Sequence, residues 1–364
     1  MREGLVDMLH VMDKASFFTM KEMERSLVHV IGSFLISAVV LCFATFSFSA
    51  SQDDVKIAAA RKEGRLSFYT AMGVTDAVVL GKAFEEKYPG IKVDIFRGSS
   101  QGVVNRVMNE YRAKRHAFDV VNVSIQIMNT FKEQGILGRY ISPESLVYPE
   151  GVKDADGFWT GIYYNIGVIA YNTKLVSPKE APKTYEDLMN PKWRGKIMMN
   201  RLVVHWFALM VQQIGREKAE SICRRLAANG LIYRDGGTLV QQLVSAGEMP
   251  IGFPLYGYQI EEMKAKGAQV AWNRPDPVFT SLSGMGVSSS SSHPNAGKLF
   301  VDFILSQQGQ NFFSQFGKDP PRPGATHPIP KLVEGLTFPK VRLLSSKEYE
   351  DISKIYWDIF KFVK

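Results

Sequence analysis

The sequence predicts an α/β protein folded as two lobes joined by two strands. Short alternating or β-rich runs and helical spacings follow one another in two separate regions of the chain. A glycine-punctuated aromatic stretch, "DGFWTGIYYNIGVIAYNTKL" (156–175), lies between them. A second extended stretch, "DPVFTSLSGMGVS" (276–288), leads back toward a final group of helices. One α/β unit, a crossing, a second α/β unit and a return describe two layered bodies with a cleft between them.

The first region opens with the β-rich run "RLSFYT" (65–70) and the helical "TDAVVLGKAFEEKYPG" (75–90). Val79, Leu80, Ala83 and Phe84 fall on one face of that helix, and Pro89 and Gly90 end it. "IKVDIF" (91–96) alternates at period two, and "SSQGVVNRVMNEYRAK" (99–114) returns to helical spacing. "FDVVNVS" (118–124) is a third strand and "IQIMNTFKEQGIL" (125–137) a third helix. This βαβαβα order predicts a parallel sheet. The crossing at 156–175 reads as one or two strands, with Trp159, Tyr163 and Tyr164 on it. The second region then runs through the strand "WRGKIMMN" and the helices "HWFALMVQQIG" and "REKAESICRRLAANG". "LIYRDGGTLVQQLVSAGE" follows as strand, glycine turn and helix, then the strand "MPIGFPLYGY", the helix "IEEMKAKG" and the strand "QVAWN". "HPNAGKLFVDFILSQQGQNFFSQFG" supplies long helices. The tail ends in an amphipathic helix with Ile352, Ile355, Tyr356, Ile359 and Phe360 on one face. Residues 52–165 and 276–325 are assigned to lobe 1, 166–275 to lobe 2 and 326–364 to the tail.

Residues 1–51 read as an export leader. Lys21 and Arg25 precede an apolar stretch from Val30 to Phe48, with small residues after it at Ser49 and Ser51. A cleaved leader places the protein in the periplasm; an uncleaved anchor is the alternative. The leader holds 4 of the 44 basic and 5 of the 36 acidic residues, so its removal leaves 40 against 31, a net charge of about +9. The positive charges are scattered and interleaved with acids, as in "RKEGR" and "EEMKAKG", a pattern that argues against nucleic acid and fits a small anionic ligand and an acidic membrane partner equally well. Cys223 alone remains outside the leader, which excludes an internal disulfide or a cysteine metal cluster there. Metalloprotease, α/β-hydrolase and phosphate-loop motifs are absent, so the sequence carries no catalytic constellation; a secreted hydrolase on the same fold is the alternative function.

Ligands of open parallel sheets sit beyond the carboxyl ends of the strands. In the first region those ends carry Thr70, Ser99, Ser100 and Ser124, each at or just before a helix start, where hydroxyls either cap the helix or meet an anion. In the second region the corresponding positions are Asn200 and His205, then Arg234, Gly237 and Thr238 in "YRDGGT". Arg234 is expected either to meet an oxyanion or to pair with Asp235. Tyr256 and Tyr258 close the strand "MPIGFPLYGY". They point to one side if the chain stays extended and separate if Gly257 turns. Tyr163 on the crossing strand is the remaining candidate contact.

"DADGFWTGIYYNIGVIAYNTKLVSPKEAPKTYEDLMNPKWRGKI" (154–197), with "NPKWRGKI" as its most distinctive part, closely resembles the crossover segment of type 2 periplasmic solute-binding proteins of ABC importers. The branch resembled is the one that includes ferric-iron binding proteins. "FEEKYPGIKV" and "AGKLFVDFILSQQGQNFF" are similar to lobe 1 segments of the same family, and the likeness extends over about residues 55–324. It implies the type 2 periplasmic-binding-protein fold, each lobe a mainly parallel sheet flanked by helices. It also implies capture of a small solute without chemistry, delivery to a permease in the inner membrane, and action as a monomer. Ferric iron with a synergistic anion, carried as transported ligand rather than cofactor, and a small oxyanion are the two ligand classes. For iron the resemblance implies Tyr256 and Tyr258 as metal ligands. The histidine and glutamate of ferric members fall on Gly73 and Ile125, neither of which is a metal ligand, and the adjacent tyrosine pair falls on Gly257 and Tyr258.

Overall fold

The computed structural model describes residues 52–336 and 342–361. The leader at 1–51 lies outside the described residues. Of the stretch up to Val55 only the first turn of α1 (Gln52–Glu63) is described, and the rest of the chain, from Lys56, forms one body. No described helix is long and apolar enough to cross a membrane.

Strands β1 (Arg65–Thr70), β2 (Lys92–Arg97) and β3 (Val120–Ser124) pair in parallel, joined by helices α2 (Val74–Lys87) and α3 (Ser100–Arg112). The alternating and helical periods predicted this half of the fold, but the buried face of α2 is Ala77, Leu80, Gly81 and Phe84, while Val79 is exposed. Small residues let α2 sit close to β2: a methyl at Gly81 would stand 3.2 Å from Ile95. Helix α4 (Ile125–Glu133) follows β3, and the two-residue β4 (Leu137–Gly138) pairs with the distant strand β10 (Thr280–Ser288).

The crossing is one thirteen-residue strand, β5 (Thr160–Asn172). Its first half pairs antiparallel with β10 (Thr280–Ser288), and its second half pairs with β8 (Ile251–Tyr256) and β9 (Val270–Asn273). Beyond β8, strands β6 (Ile197–Asn200) and β7 (Ile232–Arg234) continue in parallel, giving the order β2-β1-β3-β10-β5-β8-β6-β7. The "WR" expected to begin β6 forms a 3-10 turn instead, capped by the Asn190 side chain. The second half carries α5 (Tyr185–Leu188), α6 (Val204–Ile214), α7 (Arg216–Ala228), α8 (Gly237–Ala246) and α9 (Gly257–Ala265). Helices α10 (Pro294–Leu305) and α11 (Gln307–Gln315) return to the first half, and α12 (Pro330–Val333) and α13 (Ser346–Phe360) belong to the tail.

The buried apolar residues fall into three clusters. One fills the β1–β3 half around Phe68, Phe84 and Phe300. Two lie in the β6–β9 half: one around Trp206, Phe253 and Tyr356, the other around Val240, Leu255 and Leu332. Burial of such large side chains is the main driving force for each half. The tail helix presents Ile352, Tyr356, Ile359 and Phe360 to the Trp206 cluster, with Ile355 partly buried at its edge. Cys223 is buried in the same cluster, and burial pushes its thiol up, out of the range of a reactive thiolate.

Where β5 passes from one half to the other, Gly167 donates to the Phe279 carbonyl at 2.7 Å, and the Phe279 ring lies directly on it. A Cβ at Gly167 would fall 2.4 Å from that ring. Gly167→Ala is therefore expected to cost about 1–3 kcal/mol by overpacking, read as a lower midpoint in urea unfolding, with an unchanged midpoint counting against this contact.

Candidate functional site

The carboxyl ends of β2, β6 and β8 and the first turns of α3 and α8 enclose a cleft of about 410 Å³. That volume suits a small organic solute better than a bare ion. Seven of the twelve sequence candidates line it: Ser99, Ser100, Asn200, His205, Gly237, Thr238 and Tyr256. Arg97, Asp235, Phe279 and three glutamines (101, 242 and 259) complete its polar and aromatic lining.

Each lobe supplies a helix start. Ser99 caps α3 by accepting from the Gly102 amide at 3.1 Å, leaving Ser100 exposed on the first turn. Gly236, at φ 88°, turns the chain into α8, which has no side-chain cap. Asn200 holds this turn, its Oδ1 accepting from the Gly236 and Leu202 amides, both at 3.1 Å. The leading amides of α8 therefore face the cleft without a side-chain cap, at the positive end of the helix dipole.

The charges around the cleft are unequal. Asp235, the acid in the lining, is held by a two-pronged ion pair with Arg201, Nη2 to Oδ2 at 2.8 Å, and Arg201 keeps its carboxyl below the usual range. The expected Arg234–Asp235 pair does not form. The parallel register sets Asn200 against Arg234, which brings the next residue, Arg201, to the loop after β7, and Arg234 bonds its neighbour's carbonyl on the exposed surface. Arg97 is exposed and anchored by Nε to the Met72 carbonyl at 3.1 Å. Its Nη groups have no hydrogen-bond partner among the described residues.

The tyrosines separate at Gly257, which starts α9, yet their rings remain stacked, with centroids 6.3 Å apart and planes at 11°. Tyr256 lines the cleft, and its hydroxyl lies 3.0 Å from His205 Nε2. Burial raises the Tyr256 phenol to about 12, opposed by a hydrogen bond with Ser281. Tyr258 is not part of the cleft lining and faces Lys318, whose Nζ lies 4.7 Å from its ring centre. Lys318 is fully buried and paired with Asp76, a charge that nothing in "GKDPP" announced.

The remaining candidates lie elsewhere. Thr70 is buried, donating to Asn122 Oδ1 at 2.9 Å and accepting from the Met72 amide. Tyr163 is buried against Phe313 and Lys318. Ser124 lines a separate chamber of about 30 Å³ with Gln126, His205 and Tyr349. Among the described residues no three His, Cys, Asp or Glu side chains group to hold a metal. Arg97 ends β2 just before Ser99 and Ser100 and is not among the sequence candidates, and the pairing that sorts Arg201 from Arg234 depends on strand register.

Burial lowers the His205 imidazole from 6.5 to about 4, so it is neutral at pH 7. The unfolded chain takes up its proton first on acidification, and this contribution to stability falls as pH drops from about 6.5 to 4, by about 1–3 kcal/mol. Asp319, raised by burial to about 6, has the opposite sign in part of that window, so the comparison must be with a variant. Urea unfolding at pH 7 and pH 5 is expected to show a smaller loss on acidification for His205→Gln than for the unaltered protein; equal losses would contradict this.

A family model for bacterial extracellular solute-binding proteins matches residues 118–337. Iron uptake protein A1 of Synechocystis sp. is 26% identical over 244 residues, covering 62% of this chain and 67% of the relative. Two solved structures share the fold. Iron-bound HitA from Pseudomonas aeruginosa has a TM-score of 0.69 at 23% identity, covering 81% of this chain and 99% of its own. The periplasmic binding protein AfuA from Actinobacillus pleuropneumoniae, with fructose-6-phosphate bound, has a TM-score of 0.72 at 22% identity, covering 82% and 99%. The fold is thus the two-lobe periplasmic-binding-protein fold expected from the crossing segment. The chain belongs to the bacterial extracellular solute-binding protein family, the solute-capturing components of ABC importers.

Proposed function

We propose that this protein captures a small solute bearing an anionic oxygen group in the periplasm and delivers it to an inner-membrane permease. The observation that carries this reading is the pairing, across one cleft, of the Arg97 guanidinium from lobe 1, whose Nη groups have no hydrogen-bond partner among the described residues, with the uncapped start of α8 from lobe 2. Both favour negative charge, and Asp235 does not oppose them because Arg201 neutralises it. The roughly 410 Å³ leaves room for an organic body against Phe279, Leu255 and Tyr256. A ligand touching both lobes favours the closed arrangement. Lobe 1 is taken as residues 52–165 and 276–325 and lobe 2 as 166–275, with residues 1–51 removed on export and the protein acting as a monomer.

A second reading is ferric iron with a synergistic anion. It is favoured by the 3.0 Å approach of Tyr256 to His205 and by the iron-bound relative HitA. Hard ferric iron prefers anionic oxygen, and Tyr256 with His205 would leave most of its coordination to the added anion.

Thermal unfolding with inorganic phosphate, methylphosphonate, citrate and ferric citrate separates the two. The first reading expects a colourless protein stabilised by an iron-free oxyanion. Arg97→Ala is expected to weaken that binding by about 10–100-fold, the worth of a hydrogen bond to a charged group. A coloured protein that responds only to ferric citrate would replace the first reading with the second.

A further inference from the structure

We infer that the C-terminal segment, residues 342–361, is a strap that ties the two lobes together beside the cleft and restrains their opening. Leu343 packs at the edge of the lobe 1 cluster, whereas the next residue, Leu344, is buried in the lobe 2 cluster. The backbone of Leu344 is held in both directions by one lobe 1 side chain: Gln126 Nε2 donates to its carbonyl at 2.7 Å, and its amide donates to Gln126 Oε1 at 2.9 Å. Asn129 adds a 3.3 Å bond to the same carbonyl. One turn along α4, Glu133 accepts from the amide and hydroxyl of Ser346, at the start of α13.

The other end of the segment is fixed in lobe 2. Tyr356 is fully buried, meets Phe207 at a centroid distance of 6.0 Å, and donates its hydroxyl to the Arg201 carbonyl at 3.0 Å. Phe360 meets Tyr233 at 6.2 Å. Arg201 and His205 stand at the start of the region that α13 covers, and Tyr349 of α13 shares the small chamber with His205, Ser124 and Gln126. The strap therefore joins α4 of lobe 1 to α6 of lobe 2 directly behind the cleft wall. This connection is additional to β5 and β10, and its lobe 1 anchor is a set of hydrogen bonds with only the half-buried Leu343 touching the edge of that core.

Opening the lobes against this tie requires those bonds to break or the strap to lift from lobe 2. The first is the weaker point, because the lobe 2 end is held by buried aromatic and aliphatic side chains. Losing three or four such bonds is expected to shift the ligand-free equilibrium toward the open arrangement by tenfold or more.

The test needs no ligand, so it stands or falls separately from the reading of the cleft. Spin labels are placed at the exposed positions Asn105→Cys in α3 and Ala246→Cys in α8, with Cys42→Ser in the background; Cys223 is buried and does not compete. Inter-label distances are then compared with and without Gln126→Leu/Glu133→Ala. The strap predicts a distribution displaced to longer distances and broadened in the double variant. An unchanged distribution in a folded double variant overturns it. Should the double variant not fold, Ser346→Ala, a change at a half-buried position that removes one bond to Glu133, is expected to show the same displacement to a smaller degree, and its absence overturns the inference equally.

Discussion

Strand β5 is the constraint on which the remaining structure depends. Its thirteen residues hydrogen-bond to β10 on the way out of lobe 1 and to β8 and β9 on entering lobe 2, so a single backbone ladder fixes the register of both halves. The exchange of partners occurs at Ile166 and Gly167, where Phe279 rests on the glycine. That ring lies between the ladder and the cleft, stacked on Tyr256 at 6.2 Å and tilted against His205 at 5.3 Å. The geometry of the candidate ligand residues is thus inherited from the pairing of two crossover strands. Displacement of β5 against β10 would be felt first at Phe279.

The polar groups of the cleft follow a division of labour. The acid in the lining that could repel an anion is occupied: Asp235 pairs with Arg201. Those that could attract one are left with spare capacity, notably Arg97. Asn200 is spent on shaping the turn before α8 rather than on offering a free amide oxygen. Such an arrangement lets a modest number of charges act at one place, since the field from a helix start and a guanidinium falls off steeply once solvent intervenes.

The alternation of strands and helices was legible because each element buries one face against a neighbour, and burial imposes a period. Helix α1 escaped notice for the same reason: "QDDVKIAAARKE" carries charges throughout and no apolar stripe. Val79 misled because a β-branched apolar residue counts toward a stripe, whereas the buried face runs through Ala77 and Gly81, with Gly81 against β2. Strand ends were legible as a class, yet Thr70, the last residue of β1, and Ser99, the cap of α3, have different outcomes. The Thr70 hydroxyl is consumed by Asn122 across the sheet, a partner 52 residues away that no local pattern reveals. The tyrosine pair was ambiguous for a related reason. Gly257 permits either an extended chain or a helix start, and close packing of Leu332 and Val168 over Gly257, contacts between distant segments, accompanies the latter.

The phenol of Tyr256 carries a consequence for any cation that would take its oxygen. A group that releases its proton near 12 is five units from ionisation at pH 7, which corresponds to roughly 7 kcal/mol. A coordinating cation would have to supply that free energy through its bond to the oxygen, and each binding event at this phenol would expel one proton. Capture through Tyr256 as an anion would therefore weaken tenfold for every unit of acidification, whereas a ligand that only accepts a hydrogen bond from the intact phenol would feel no such slope. The same oxygen can thus serve as an acid-sensitive trap or as a nearly pH-indifferent donor, and the ligand decides which.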